Sequence, residues 1–159
     1  MKALVLYESF FGNTEKIAQT IGDSLGSSME VDVRKVSEVL PEQLIGSGLL
    51  IVGSPTRAFR PSPATNRFLK NIPANGLEGV KAAAFDTRIS EDDIKSRALR
   101  FLMKVFGYAA GPVAKKLGKK GAEIVIAPEG FCVNDTEGPL REGELGRAAA
   151  WAKQILAKL

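Results

Sequence analysis

Short apolar runs recur along the chain at residues 3–7, 31–36, 49–52, 80–85 and 122–126, and stretches with apolar residues three and four apart separate them. Strands alternating with helices predict an α/β fold on a mainly parallel sheet. The first and third runs, Ala-Leu-Val-Leu-Tyr and Leu-Leu-Ile-Val-Gly, are apolar almost throughout. Such runs suit strands covered on both faces, so these two are expected at the centre of the sheet. In the second run Asp32, Arg34 and Lys35 interrupt Val31, Val33 and Val36. That pattern predicts a half-exposed edge strand.

Helical spacing places Ile17, Ala18, Ile21 and Leu25 on one face of a first helix over about 14–26, stopped by Gly26. A brief crossover follows, with Pro41 at its first helical position and Gly46 at its end. Pro63 is expected to open a helix that buries Phe68 and Leu69 and ends before Pro73. Residues 91–118 read as one long or broken helix, interrupted near Gly107 and Gly111-Pro112. Residues 144–159 put Leu145, Ala148, Ala149, Ala152, Ile155 and Leu156 on one stripe of a C-terminal helix. Residues 1–159 are expected to form a single domain.

Composition narrows the chemistry. The chain has no histidine and one cysteine, which excludes His-dependent triads, imidazole acid–base work, Cys/His metal sites and an internal disulfide. No apolar stretch approaches a membrane span and the amino terminus does not read as a signal peptide, so a cytoplasmic protein is expected. The net charge is +4, with Lys95, Arg97, Arg100, Lys104, Lys115, Lys116, Lys119 and Lys120 in a stretch free of acidic residues. Cys132, in an apolar context, is expected to be buried and inert. Asp92 and Asp93 read as helix-start residues and not as metal ligands.

The candidate chemistry lies in three loops. Ser9-Phe10-Phe11-Gly12-Asn13-Thr14 follows a buried strand and opens a helix, where backbone N–H groups and the helix dipole favour a phosphate. It is neither G-x-x-x-x-G-K-[ST] nor G-x-G-x-x-G, so ATP and NAD do not suit it. Pro55, Thr56, Arg57, Ala58 and Phe59 follow the other central strand, with Phe59 available to stack on a planar ring. Asp86, Thr87 and Arg88 end the fourth strand and offer polar groups to a heterocycle. Ligands of open α/β sheets bind outside the carboxyl ends of the strands, where the winding reverses, and there these loops converge. A phosphoacceptor receiver is excluded, because Ser9 follows Glu8 and Gly53-Ser54 stands where an acceptor aspartate would be needed.

The first loop resembles the phosphate loop [ST]-x-[ST]-G-x-[ST] of the flavodoxin family. Residues 120–125, then Glu129-Gly130-Phe131-Cys132-Val133 and a terminal helix carrying Trp151, are similar to the broken last strand of short-chain flavodoxins. The resemblance spans essentially the whole chain and implies a three-layer, flavodoxin-like sandwich on a five-stranded parallel sheet of order 2-1-3-4-5. It implies FMN as cofactor, with Ser9, Gly12, Asn13, Thr14 and the backbone of Phe10 and Phe11 at its phosphate. Residues 55–59 and 86–88 would flank the isoalloxazine ring. Phe11 stands where the family usually has a hydroxyl, the second loop lacks the frequent tryptophan, and the third lacks the usual tyrosine and glycines.

The function so implied is an FMN-binding electron-transfer protein whose flavin shuttles one or two electrons between redox partners, with no catalytic side chain. Arg57, Arg60, Arg67, Lys70 and Arg88 replace the acidic ring surroundings of the family, which predicts a raised flavin potential and acidic-surfaced partners. An NAD(P)H-dependent flavin or quinone reductase on the same fold, or a cofactor-less interaction module, are the alternatives. No nucleic-acid or membrane partner is expected. The apolar residues of the 95–118 helical region are assigned to packing on the sheet or to a homodimer.

Overall fold

A computed structural model describes all residues from Met1 to Leu159. Its elements are β1 (Lys2–Tyr7), α1 (Asn13–Gly26), β2 (Glu30–Lys35), β3 (Leu49–Pro55), α2 (Pro63–Asn71), β4 (Lys81–Ile89), α3 (Arg97–Phe106), α4 (Ala110–Lys119), β5 (Glu123–Ile124), β6 (Glu129–Val133) and α5 (Glu144–Leu156). Short 3-10 turns at Val36–Glu38, Pro41–Leu44 and Glu91–Asp93 fill connections.

The sheet is parallel throughout, in the order β2-β1-β3-β4-β5, and β6 also pairs with β4. β5 pairs with Lys81 and Ala82, and β6 with residues 85–89 further along the same strand. The fifth strand is therefore broken in two, and β5 is much shorter than the run at 122–126 suggests. β2 lies at the edge and is half exposed, as its alternation predicts.

Side-chain alternation divides the core between two layers. Leu4, Leu6, Leu50, Val52, Ala82 and Ala84 pack against Phe68 and Leu69 of α2 and Val113 and Leu117 of α4. Val5, Leu49, Ile51 and Phe85 point the other way, onto Ile17, Ile21 and Leu25 of α1 and Ala148, Trp151 and Ile155 of α5. The result is a sheet between helical layers, the flavodoxin-like arrangement. Burial on both faces explains why β1 and β3 carry so few polar residues.

Several boundaries depart from the sequence reading. β4 continues through Asp86, Thr87, Arg88 and Ile89, which the sequence suggests as a loop, because those residues pair with β6. The 91–118 region breaks twice, at residues 94–96 between a 3-10 turn and α3 and again at Gly107, whose positive φ of 71° ends α3. Gly111-Pro112 does not interrupt the chain. It sits in the first turn of α4, where no i−4 acceptor is needed and proline is tolerated. Leu145 is exposed, so the buried stripe of α5 is Ala148, Trp151, Ala152 and Ile155. No helix is long and apolar enough to cross a membrane.

Candidate functional site

The turn from β1 into α1 is built from its own polar groups. Glu8 Oε1 accepts a hydrogen bond from the Ser9 N–H at 3.0 Å, and Ser9 Oγ accepts one from the Gly12 N–H at 3.0 Å. Gly12 has φ 86°, a left-handed conformation that other residues adopt at a cost. The backbone N–H groups of Phe10, Phe11, Asn13 and Thr14 find no acceptor in the chain. They are the open donors expected at a helix N-terminus, where the dipole favours an anion.

Two long-range contacts hold this turn in place. Thr14 Oγ1 and Thr87 Oγ1 share a buried hydrogen bond of 2.7 Å, joining α1 to β4. Asn13 Nδ2 donates to the Glu137 carbonyl at 3.1 Å, drawing in the segment after β6. Below the turn, the Tyr7 hydroxyl donates to Glu15 Oε1 at 3.0 Å. Burial, then that bond, push the Tyr7 pKa up to about 12.

The loop after β3 is tied to its neighbours by Thr56. Its N–H donates to the Thr87 carbonyl at 2.9 Å, and its Oγ1 accepts from the Ala109 N–H at 3.0 Å. Arg57 and Arg60 then exchange two backbone hydrogen bonds of 3.0 Å around Ala58 (φ 46°) and Phe59 (φ 66°). Left-handed angles at both central residues make a tight primed turn, normally filled by Asn and Gly. With Ala and Phe the strain is on the order of 1–2 kcal/mol per residue, and strain of this kind collects at ligand-flanking loops. The turn directs the Phe59 ring at Phe106 of α3, with centroids 5.8 Å apart. The Arg57 guanidinium lies over the Phe10 ring at 4.9 Å, joining the first two loops.

Asp86, expected beside the ring, does not reach the cleft. Asp86 is fully buried and accepts from Arg88 Nε (2.6 Å), Arg88 Nη2 (2.7 Å) and the Ala110 N–H (2.8 Å). Burial pushes its carboxyl up, against the Arg88 side chain and the Ala110 N–H, which favour the carboxylate. Arg88 in turn stacks on the Tyr108 ring at 3.7 Å. Asp86 thus anchors Arg88 and the start of α4.

The three loops enclose a cleft of about 240 Å³. Ser9, Phe10, Phe11, Asn13 and Thr14 line it from the first, Pro55, Thr56, Arg57 and Ala58 from the second, and Thr87 and Arg88 from β4. Gly12, Phe59 and Asp86 do not, for the reasons of turn geometry and burial just given. Ile89, Val133 and Thr136 also line the cleft and are absent from the sequence reading. Thr136 was accessible to it, since the loop after β6 lies at the same carboxyl end of the sheet.

Two other expectations change. Arg67 and Lys70 face the groove between α2 and α4, beside Lys116, Lys119 and Lys120, and not the cleft. Cys132 is half-buried, and burial followed by the Glu144 charge pushes its thiol up.

A family profile described as Flavodoxin matches residues 5–151. A flavodoxin of Aquifex aeolicus is 27% identical over 99% of this chain and 94% of its own length. Flavodoxin 2 of Bacillus cereus superposes with a TM-score of 0.80 at 23% identity, covering 100% of both chains. A flavodoxin from the domain Archaea gives 0.78 at 22% identity, over 99% of this chain and 98% of that one.

Proposed function

The chain belongs to the flavodoxin family, whose members bind FMN and transfer electrons, and from that premise we propose how this member holds its flavin and whom it meets. The FMN phosphate sits in the turn of residues 9–14, and the ring lies between residues 55–58 and 87–89. The observation that carries this reading is the set of N–H groups, Phe10, Phe11, Asn13 and Thr14 among them, left without acceptors at the head of α1. Donors so grouped fit a dianionic phosphate, and the Ser9 and Thr14 hydroxyls lie beside them.

Bound FMN supplies the acceptance and release of one or two electrons, and no side chain need act as acid, base or nucleophile. The protein's part is to bind and orient. Thr14 and Thr87 fix the phosphate turn against β4, Thr56 fixes the second loop, and Phe10 with Arg57 closes one side of the cleft. Arg57 and Arg60, both exposed and without a carboxylate partner, favour redox partners with an acidic surface. Core layers that span the sheet support reading residues 1–159 as one unit.

The test is titration of the flavin-free protein with FMN and with riboflavin, which lacks the phosphate, followed by flavin fluorescence. FMN is expected to bind at least about tenfold more tightly, given charge-assisted bonds to the phosphate. Equal binding of the two would overturn the phosphate assignment.

A further inference from the structure

α3 is an amphipathic helix with almost nothing packed on it. Met103 is its only buried residue, whereas Phe101 is 66% exposed and Val105 57%. Three stripes run along it at helical spacing. Leu99, Met103 and Phe106 form the stripe that carries the one buried residue, Met103, and Phe106, itself exposed, meets Phe59. Ala98, Phe101, Leu102 and Val105 form an outward apolar stripe. Arg97, Arg100 and Lys104 form the third, extended by Lys95 just before the helix.

This polar stripe is wholly cationic, and none of its members is within ion-pairing reach of a carboxylate. Arg97, Arg100, Lys104 and Phe101 instead line a shallow groove of about 220 Å³. We propose that α3 is a membrane-docking helix that lies in the interface of an anionic phospholipid bilayer, its apolar stripe among the acyl chains and its cations at the headgroup phosphates. Large apolar side chains on one face and only Lys and Arg on the other are the features of a helix that rests in a bilayer surface. The sequence alone suggests internal packing or a second copy for these apolar residues and no membrane partner, and the structure leaves them open.

A second copy is the weaker occupant. Ten residues make a helix about 15 Å long, and a stripe of that length and one helix wide is far below the roughly 800 Å² per partner of a stable interface. A twofold contact between α3 helices would also bring their cationic stripes near one another. A bilayer needs no such area and answers the charge. Docking through α3 sets the Arg57–Arg60 turn beside the membrane, because Phe59 packs on Phe106.

The proposal does not depend on the flavin assignment and is tested on the whole protein by co-sedimentation with vesicles. Vesicles of equal phosphatidylglycerol and phosphatidylcholine are expected to bind the protein, with binding falling as salt is raised. Phosphatidylcholine vesicles should bind at least about tenfold less. Phe101→Ser with Val105→Ser should weaken binding at least about tenfold, and Arg100→Glu with Lys104→Glu at least about thirtyfold. All four positions are exposed, and unchanged circular dichroism and melting will show that the variants fold. No binding to the anionic vesicles overturns the proposal, as does binding that both double variants retain. A dimer by sedimentation equilibrium that Phe101→Ser/Val105→Ser dissociates, without vesicle binding, overturns it in favour of the second copy.

Discussion

Arg88 lies against Gly130 so closely that a Cβ added to that glycine would stand 2.1 Å from the guanidinium carbon. On its other side is the Tyr108 ring, and at its end the buried carboxylate of Asp86. An arginine is normally free to swing away from a new methyl group, but this one is held by two hydrogen bonds and a ring. Gly130→Ala is therefore expected to push the guanidinium off Asp86 and leave a buried carboxylate short of its partner. The expected loss is about 3 kcal/mol, read by urea unfolding. A loss below about 0.5 kcal/mol would mean that Arg88 moves without cost.

Phe11 is 47% exposed at the rim of the phosphate turn, where the family usually presents a hydroxyl. Its ring contributes no hydrogen bond to an anion. Phe11→Thr offers one more charge-assisted donor, worth about 1.5 kcal/mol. FMN affinity is expected to rise about tenfold by fluorescence titration, while riboflavin affinity stays level or falls. A tighter grip on both ligands would assign the effect to the ring site instead.

Central strands, edge strand and helix starts are legible in the residues, because buried strands read as unbroken apolar runs and helix starts carry their own polar signals, whereas the full strand order comes from the family resemblance. What stayed hidden depends on pairs distant in sequence. Asp86 looks like a loop carboxylate until β6 extends the pairing along β4 and α4 brings the Ala110 N–H to it. Phe59 looks like a ring-stacking residue until its left-handed backbone turns it toward Phe106. The apolar residues of α3 have the spacing of core residues, and spacing alone does not tell which face finds a partner.

Arg57 is the cleft-lining cation with no carboxylate partner, since Arg88 is neutralised by Asp86. A cation beside the ring favours the form of the flavin that carries negative charge, which is the reduced one. Arg57→Gln is expected to lower the midpoint potential of bound FMN by on the order of 30 mV, equivalent to about 1.4 kcal/mol for a two-electron couple. Arg67→Gln, in the α2–α4 groove, should leave it unchanged. Potentiometric titration of the two variants beside the parent protein decides the matter, and an equal shift in both would locate the effect in net charge.

Glu144 joins the start of α5 to β6. Its Oε2 accepts the Cys132 N–H at 2.6 Å, and Arg147 donates to both its oxygens at 2.9 and 3.0 Å. Burial works to raise the carboxyl, but the Arg147 side chain, the Cys132 N–H and the charges of Arg147 and Arg141 outweigh it, so its pKa is lowered. A carboxylate held below its unfolded value of about 4.3 stabilises the fold above that pH, and the contribution is lost as pH falls through the folded value. Glu144→Gln keeps an acceptor for Cys132 but loses the charge. At pH 7 it should cost about 1–2 kcal/mol in urea unfolding, a figure kept modest because the Arg147 side chain is 48% exposed. The gap between parent and variant should therefore narrow as pH is taken below about 4. A gap that stays constant to pH 3 would show that the charge of Glu144 contributes nothing and that only its shape matters.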